Sequence, residues 1–114
     1  MDREIHVEEY LVKRVEKDLG GQCWKINPIG RTGRLDQLVI LPNWWPFFCE
    51  LKRPKDGRVS RKQILQRASL EEIGQTVYIC KNEAEIDEML ETELNRRNAW
   101  ADVRQKISTP PTPN

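Results

Sequence analysis

Two apolar runs on either side of a tight turn limit what this chain can fold into. Leu38-Val39-Ile40-Leu41 and Phe47-Phe48-Cys49-Glu50-Leu51-Lys52 are rich in β-formers and flank Pro42-Asn43-Trp44-Trp45-Pro46, a turn signal. The spacing predicts a β-hairpin. Position 43 is midway between Asp36 and Glu50, so these carboxylates stand opposite each other, or nearly so, with Cβ atoms ~5 Å apart. Side chains alternate along a strand, so Glu50 and Lys52 share one face and Cys49 and Leu51 the other. Three ionisable groups therefore meet at one end of the hairpin. They are either a cross-strand salt bridge on an exposed face, or two carboxylates able to share a divalent metal beside an amine.

The flanking segments supply more elements. Ile5, Leu11, Val12, Val15 and Leu19 recur at helical spacing, which predicts a helix over 4–19 stopped by Gly20-Gly21. Glu8 falls on that stripe and Glu9 is turned about 100° away. A carboxylate facing the core needs a partner; at the edge of the stripe it reaches solvent instead. Cys23-Trp24-Lys25-Ile26 reads as a strand, and residues 27–34 as a basic loop. Pro54-Lys55-Asp56-Gly57 is a turn, and a helix runs from Ser60 to about Ile73. Thr76 to Cys80 is a strand, followed by a helix from Glu83 to about Arg97 and a separate short helical piece over 99–107. The order α-β-β-β-α-β-α makes a mixed sheet flanked by helices.

The composition narrows the function classes. At 114 residues the chain is one domain. No apolar run approaches the ~20 residues of a membrane span, and the charged N-terminus has no signal-peptide core. Cys23, Cys49 and Cys80 are odd in number, lack CxxC spacing and each sits in a predicted strand, the pattern of buried thiols in a reducing cytoplasm. A lone histidine, His6, argues against a zinc hydrolase or a histidine-dependent triad. A net charge of +1 conceals two blocks. Lys52, Arg53, Lys55, Arg58, Arg61, Lys62 and Arg67 face only Asp56, whereas Glu83 to Glu93 carries acids and no base. The basic block is either a solvated face or a place for a polyanion to lie. The acidic helix is read as a solvated surface. Trp44-Trp45 at the hairpin tip is a protein contact, a wedge for nucleic acid, or a tip folded onto its own core.

Asp36, the Glu50-Leu51-Lys52 strand end and the helix carrying Gln63, in this order of elements, resemble the PD-(D/E)XK nuclease superfamily. More narrowly, GGQCWK, GRLDQLVILP, FFCELKRPKDGRVSRKQ and Gly74-Gln75-Thr76-Val77-Tyr78 are similar to the VRR-Nuc (virus-type replication-repair nuclease) domain in its small bacteriophage-type form, from about Ile5 to Leu90. The resemblance implies an α/β fold with a restriction-endonuclease-like core, in a domain placed over residues 1–107; the Pro-rich composition of 108–114 reads as a disordered tail. It also implies a metal-dependent, homodimeric endonuclease acting on branched DNA such as Holliday junctions, in the cytoplasm (the host's, if phage-encoded). A nuclease for flaps, nicks or plain duplex, and a non-catalytic nucleic-acid-binding module, are the competing readings.

Residue by residue, the resemblance assigns Asp36 and Glu50 as metal ligands, with the Leu51 carbonyl helping. Lys52 becomes the catalytic lysine, and Glu8 the acid that holds the metal or orients its water. Leu35 stands where many members have Pro, which is not a ligand. Gln63 matches the family glutamine but also completes a capping box with Ser60. Hard oxygen ligands suit Mg²⁺, with Mn²⁺ as a substitute. Lys25, Arg31, Arg34, Arg53, Lys55, Arg58, Arg61 and Lys62 are the expected phosphate contacts.

Overall fold

The computed structural model of the chain describes residues 4–26, 37–52 and 61–108. Helix α1 (Glu4–Val12) continues directly into a π-helical segment (Lys13–Asp18). Strands β1 (Gln22–Lys25), β2 (Gln37–Ile40) and β3 (Phe47–Leu51) follow, then α2 (Arg61–Glu72), β4 (Val77–Cys80) and α3 (Glu83–Ser108). The strands form one mixed sheet in the order β1-β2-β3-β4. β1, β2 and β3 are antiparallel neighbours, and β4 is parallel to β3. This is the α/β arrangement the sequence predicts.

The hairpin register follows from its turn. Gln37 pairs with Cys49, Leu38 with Phe48 and Val39 with Phe47, centring the connection on Asn43. That residue takes φ 57, a left-handed conformation that Asn tolerates. The tight junction ahead of β1 depends on Gly21, where a Cβ would lie 2.2 Å from the Ile40 carbonyl oxygen. Only a glycine lets the chain pass so close to β2.

One core fills the space between the sheet and the helices α1 and α3. Val7, Leu11 and Val15 contribute from the first helix, Val39, Phe47, Cys49 and Leu51 from the strands, and Ile86, Met89 and Leu90 from α3. Phe47 meets Tyr78 edge to face at 5.7 Å. Asp87 joins α3 to the first helix, accepting from the Tyr10 hydroxyl at 2.6 Å and from Arg14 Nε at 3.2 Å. The opposite face is less covered. Gln63 is the buried residue of α2, while Ile64, Leu65 and Trp24 are 53%, 58% and 56% exposed. Among the described residues, no helix is long and apolar enough to cross a membrane.

Three expectations need correction. The first helix does not keep α geometry to position 19: Leu19 N–H reaches the Arg14 carbonyl, a five-residue closure. The break expected near Arg97 is absent, and α3 is one helix of 26 residues. Asn98 is a weak helix former, but neither Gly nor Pro interrupts the segment, and weak propensity alone does not end a helix already packed along its first half. Ser108 is accordingly the last helical residue rather than the start of the tail; residues 109–114 lie outside the described residues. Nor is the acidic stretch simply a solvated face. Glu88 and Glu91 are exposed, but Glu93 is 1% exposed and accepts from Trp44 Nε1, the Tyr78 hydroxyl and Arg96 Nη1.

The three cysteines are free thiols in strands. Burial, reinforced by the Glu16 and Glu8 carboxylates, pushes the Cys23 thiol up to about 12. A hydrogen bond with Cys80 and burial raise Cys49. An unfolded chain ionises these thiols from about pH 9, whereas the folded chain holds its protons longer. The Cys23 contribution to stability is therefore complete below about pH 9 and is lost as pH rises toward 12. The urea midpoint is expected to fall between pH 9 and 10.5, and to fall less in Cys23→Ala. Equal losses in both proteins would contradict this assignment.

Candidate functional site

The ends of β1 and β3 and the start of β2 lie at one end of the sheet, and charged side chains collect there. β3 carries Phe47, Cys49 and Leu51 into the α1/α3 core, so alternation turns Glu50 to the other face, toward α2. Glu50 is 2% exposed. Its Oε1 accepts from Lys52 Nζ at 3.1 Å and from Gln63 Nε2 at 2.5 Å. Lys52 is tied to the sheet by its backbone N–H, which donates to the Cys80 carbonyl at 2.9 Å. Helix α2 aims Gln63 at the strand, so the glutamine amide meets Glu50; Ser60, its expected capping partner, lies outside the described residues. Of the two readings of this pattern, the exposed-face salt bridge does not hold: Glu50 is a buried carboxylate whose orientation is fixed by two donors.

Glu8 forms a second cluster at the same end. Val7, Leu11 and Val15 are the buried stripe of the first helix, which puts Glu8 at the stripe's edge with its side chain 32% exposed. Glu9 faces solvent. Glu8 Oε1 accepts from Gln37 Nε2 at 3.2 Å and lies 3.7 Å from Lys25 Nζ. Gln37 pairs with Cys49, and Lys25 with Gln37, so both side chains rise on the core face. Glu8 and Glu50 thus reach the end of the sheet from opposite faces.

Asp36, the residue before Gln37, lies outside the described residues, as do Arg31, Arg34, Arg53, Lys55 and Arg58. Among the described residues, no group of three acidic, histidine or cysteine side chains could hold a metal ion. The Leu51 carbonyl lies at the end of β3, and Arg61 and Lys62 are exposed at the start of α2.

Two features escaped the sequence reading. Gln37, 2% exposed, is the amide that holds Glu8; a polar residue opening an apolar strand was its only signal. Lys13 and Lys17 join Glu8, Glu9, Val12 and Lys25 around an open groove of about 500 Å³. Their four-residue spacing places both lysines on one side of a regular helix, and the π-helical turn between them was not legible.

No family model matches the chain. A curated relative from Acyrthosiphon pisum secondary endosymbiont phage 1, "Putative nuclease p44", is 35% identical over 81 residues, covering 71% of this chain and 85% of the relative. A solved structure described as "VRR_NUC domain" superposes with a TM-score of 0.72 at 27% identity, covering 80% of this chain and 97% of that one.

Proposed function

Because this chain belongs to the VRR-Nuc domain family in its small phage-type form, we propose that it is a metal-dependent endonuclease hydrolysing phosphodiester bonds in DNA, with four-way junctions as its substrate. The observation that carries this reading is the buried Glu50 carboxylate with the Lys52 ammonium 3.1 Å away. A charge is costly to bury for fold stability alone. In a nuclease the same carboxylate would hold a cation beside the scissile phosphate.

The donor chemistry fits a hard divalent cation. Glu50 and Asp36, with the Leu51 carbonyl and Glu8, would supply the oxygen ligands that Mg²⁺ or Mn²⁺ requires. Such an ion, when bound, lowers the pKa of a coordinated water and offsets charge that builds on the phosphate. The chain's own residues do the rest. Gln63 and Lys52 both donate to Glu50 Oε1, fixing the carboxylate plane. Lys52, a compact point charge with three donors, orients the attacking water or offsets charge on the scissile phosphate. Glu8, held by Gln37 and Lys25, acts from the opposite side as a ligand or water-orienting base. Lys25, Arg61 and Lys62, with Arg31, Arg34, Arg53, Lys55 and Arg58, position flanking phosphates without reading sequence, so affinity falls steeply with salt.

Two cuts across a junction need two sites, so the proposed assembly is a symmetric homodimer. The exposed Trp24, Ile64 and Leu65 on the α2 side supply apolar area for such a contact.

Glu8→Gln is expected to slow cleavage by about 10²-fold or more and Glu9→Gln to leave it unchanged, measured as single-turnover rates; equal effects would remove Glu8 from the site. The proposed activity is tested with purified protein and labelled four-way junction, flap and linear duplex, in Mg²⁺ and in EDTA. Junction cleavage in Mg²⁺ alone is expected. Equal cutting of all three would leave the nuclease and remove the junction preference. No cutting would leave a binding module on this fold.

A further inference from the structure

A second, more recessed space lies at the other end of the sheet, where the hairpin tip meets the loop after α2. This cavity holds about 250 Å³, and Trp44, Trp45, Gln75, Thr76, Glu93 and Arg96 line it. None of them enters the proposed cleavage chemistry. Trp44 is folded onto the domain, its indole N–H donating to Glu93 Oε1 at 2.8 Å. The Arg96 guanidinium lies 5.9 Å from the centre of the Trp44 ring and donates to Glu93 Oε2 at 2.8 Å. Trp45 beside it is 66% exposed.

These contacts decide what the cavity can take. The Glu93 charge is matched by Arg96 and shared with the Trp44 and Tyr78 donors, so the cavity is not built to attract a cation. A ligand meets indole surface, a guanidinium edge, the Thr76 hydroxyl and the Gln75 amide. A flat ring with polar edges satisfies all four, stacking on indole while its rim takes hydrogen bonds. The volume is below the ~300 Å³ at which pockets for drug-sized molecules begin, which suits one heterocycle rather than an extended ligand.

We propose that this cavity binds one unpaired nucleobase, stacked against Trp45 and bounded by Trp44 and Arg96. The source of that base rests on the nuclease reading given above. β3 separates the cavity from the Glu50 cluster by roughly 15–20 Å, five residues at ~3.4 Å each. The bound base therefore belongs to a strand leaving the duplex beyond the cleavage point, not to the scissile nucleotide. Sequence-tolerant stacking of this kind selects single-stranded segments over plain duplex.

The test is a titration with a ten-nucleotide oligothymidylate in EDTA, read by intrinsic tryptophan fluorescence and by anisotropy of an end label. The wild-type protein is expected to show quenching and saturable binding. Trp45→Ala is expected to bind about tenfold more weakly with most of the quench gone, and Trp45→Phe to recover affinity because a stacking ring is restored. Glu50→Gln, expected to lose cleavage, should keep both signals. A wild-type protein that cuts no DNA yet shows this pattern would still support the cavity while removing the nuclease reading. Unchanged affinity in a folded Trp45→Ala protein would overturn the proposal. So would unchanged affinity together with conversion of a dimer to a monomer in sedimentation, which would make Trp45 a protein contact.

Discussion

Glu50→Gln is expected to abolish metal-dependent cleavage, a loss of at least about 10³-fold, in a protein at least as stable as the wild type. Glu50 is 2% exposed and its Oε1 already serves Lys52 and Gln63. Glutamine has nearly the same shape and keeps an acceptor, so the amide contact survives. Lys52, with its side chain 18% exposed, still reaches water. The substitution removes a buried negative charge, and with it a desolvation cost, together with the ligand on which a cation would depend. Activity and stability should therefore separate, as at sites held for function. Thermal unfolding and single-turnover cleavage of the same preparations measure both. A large drop in melting temperature would make Glu50 a structural residue, and retained cleavage would remove it from the site.

Glu93→Ala should do the reverse, lowering stability by about 3 kcal/mol and the melting temperature by on the order of 10 °C. Glu93 is 1% exposed and gathers Trp44 from the hairpin tip, Tyr78 from β4 and Arg96 from its own helix. Burial and the bond to Glu93 raise the Tyr78 phenol above its ordinary value, so this hydroxyl donates across the accessible pH range. Removing the carboxylate leaves two part-buried donors, Trp44 Nε1 and the Tyr78 hydroxyl, without this acceptor, and a void where the buried side chain stood. Cleavage per folded molecule should persist, because the Glu50 cluster lies at the other end of the sheet. A melting temperature within two degrees of wild type, by calorimetry, would contradict this account.

What could be read in advance depended on whether a residue's partner was close in the pattern. The hairpin register was legible because one turn relates both strands, and it fixed which residues share a face with Glu50. Glu8 was distinguishable from Glu9 because the helical period separates them, although the stripe is centred on Val7, Leu11 and Val15 and so turns Glu8 to its edge. Glu93 was misread for the opposite reason. Two of its three partners, Tyr78 and Trp44, are 15 and 49 residues away in the chain, and nothing in an acidic helix marks which acid meets them. Gln37 was missed likewise, since its value lies in a contact with Glu8 across 29 residues. Gln63 stood between two readings, a local cap and a distant carboxylate, and only the placement of α2 against β3 shows its amide on Glu50.

The central claim is that the end of the sheet bearing Glu50 and Lys52 hydrolyses DNA. The direct measurement is single-turnover cleavage of a labelled four-way junction by the wild-type protein and by Lys52→Ala, each with Mg²⁺ and with EDTA. The account predicts cleavage by the wild-type protein in Mg²⁺ alone, with none from Lys52→Ala although it folds and still binds the junction. Cleavage by Lys52→Ala at the wild-type rate would contradict it.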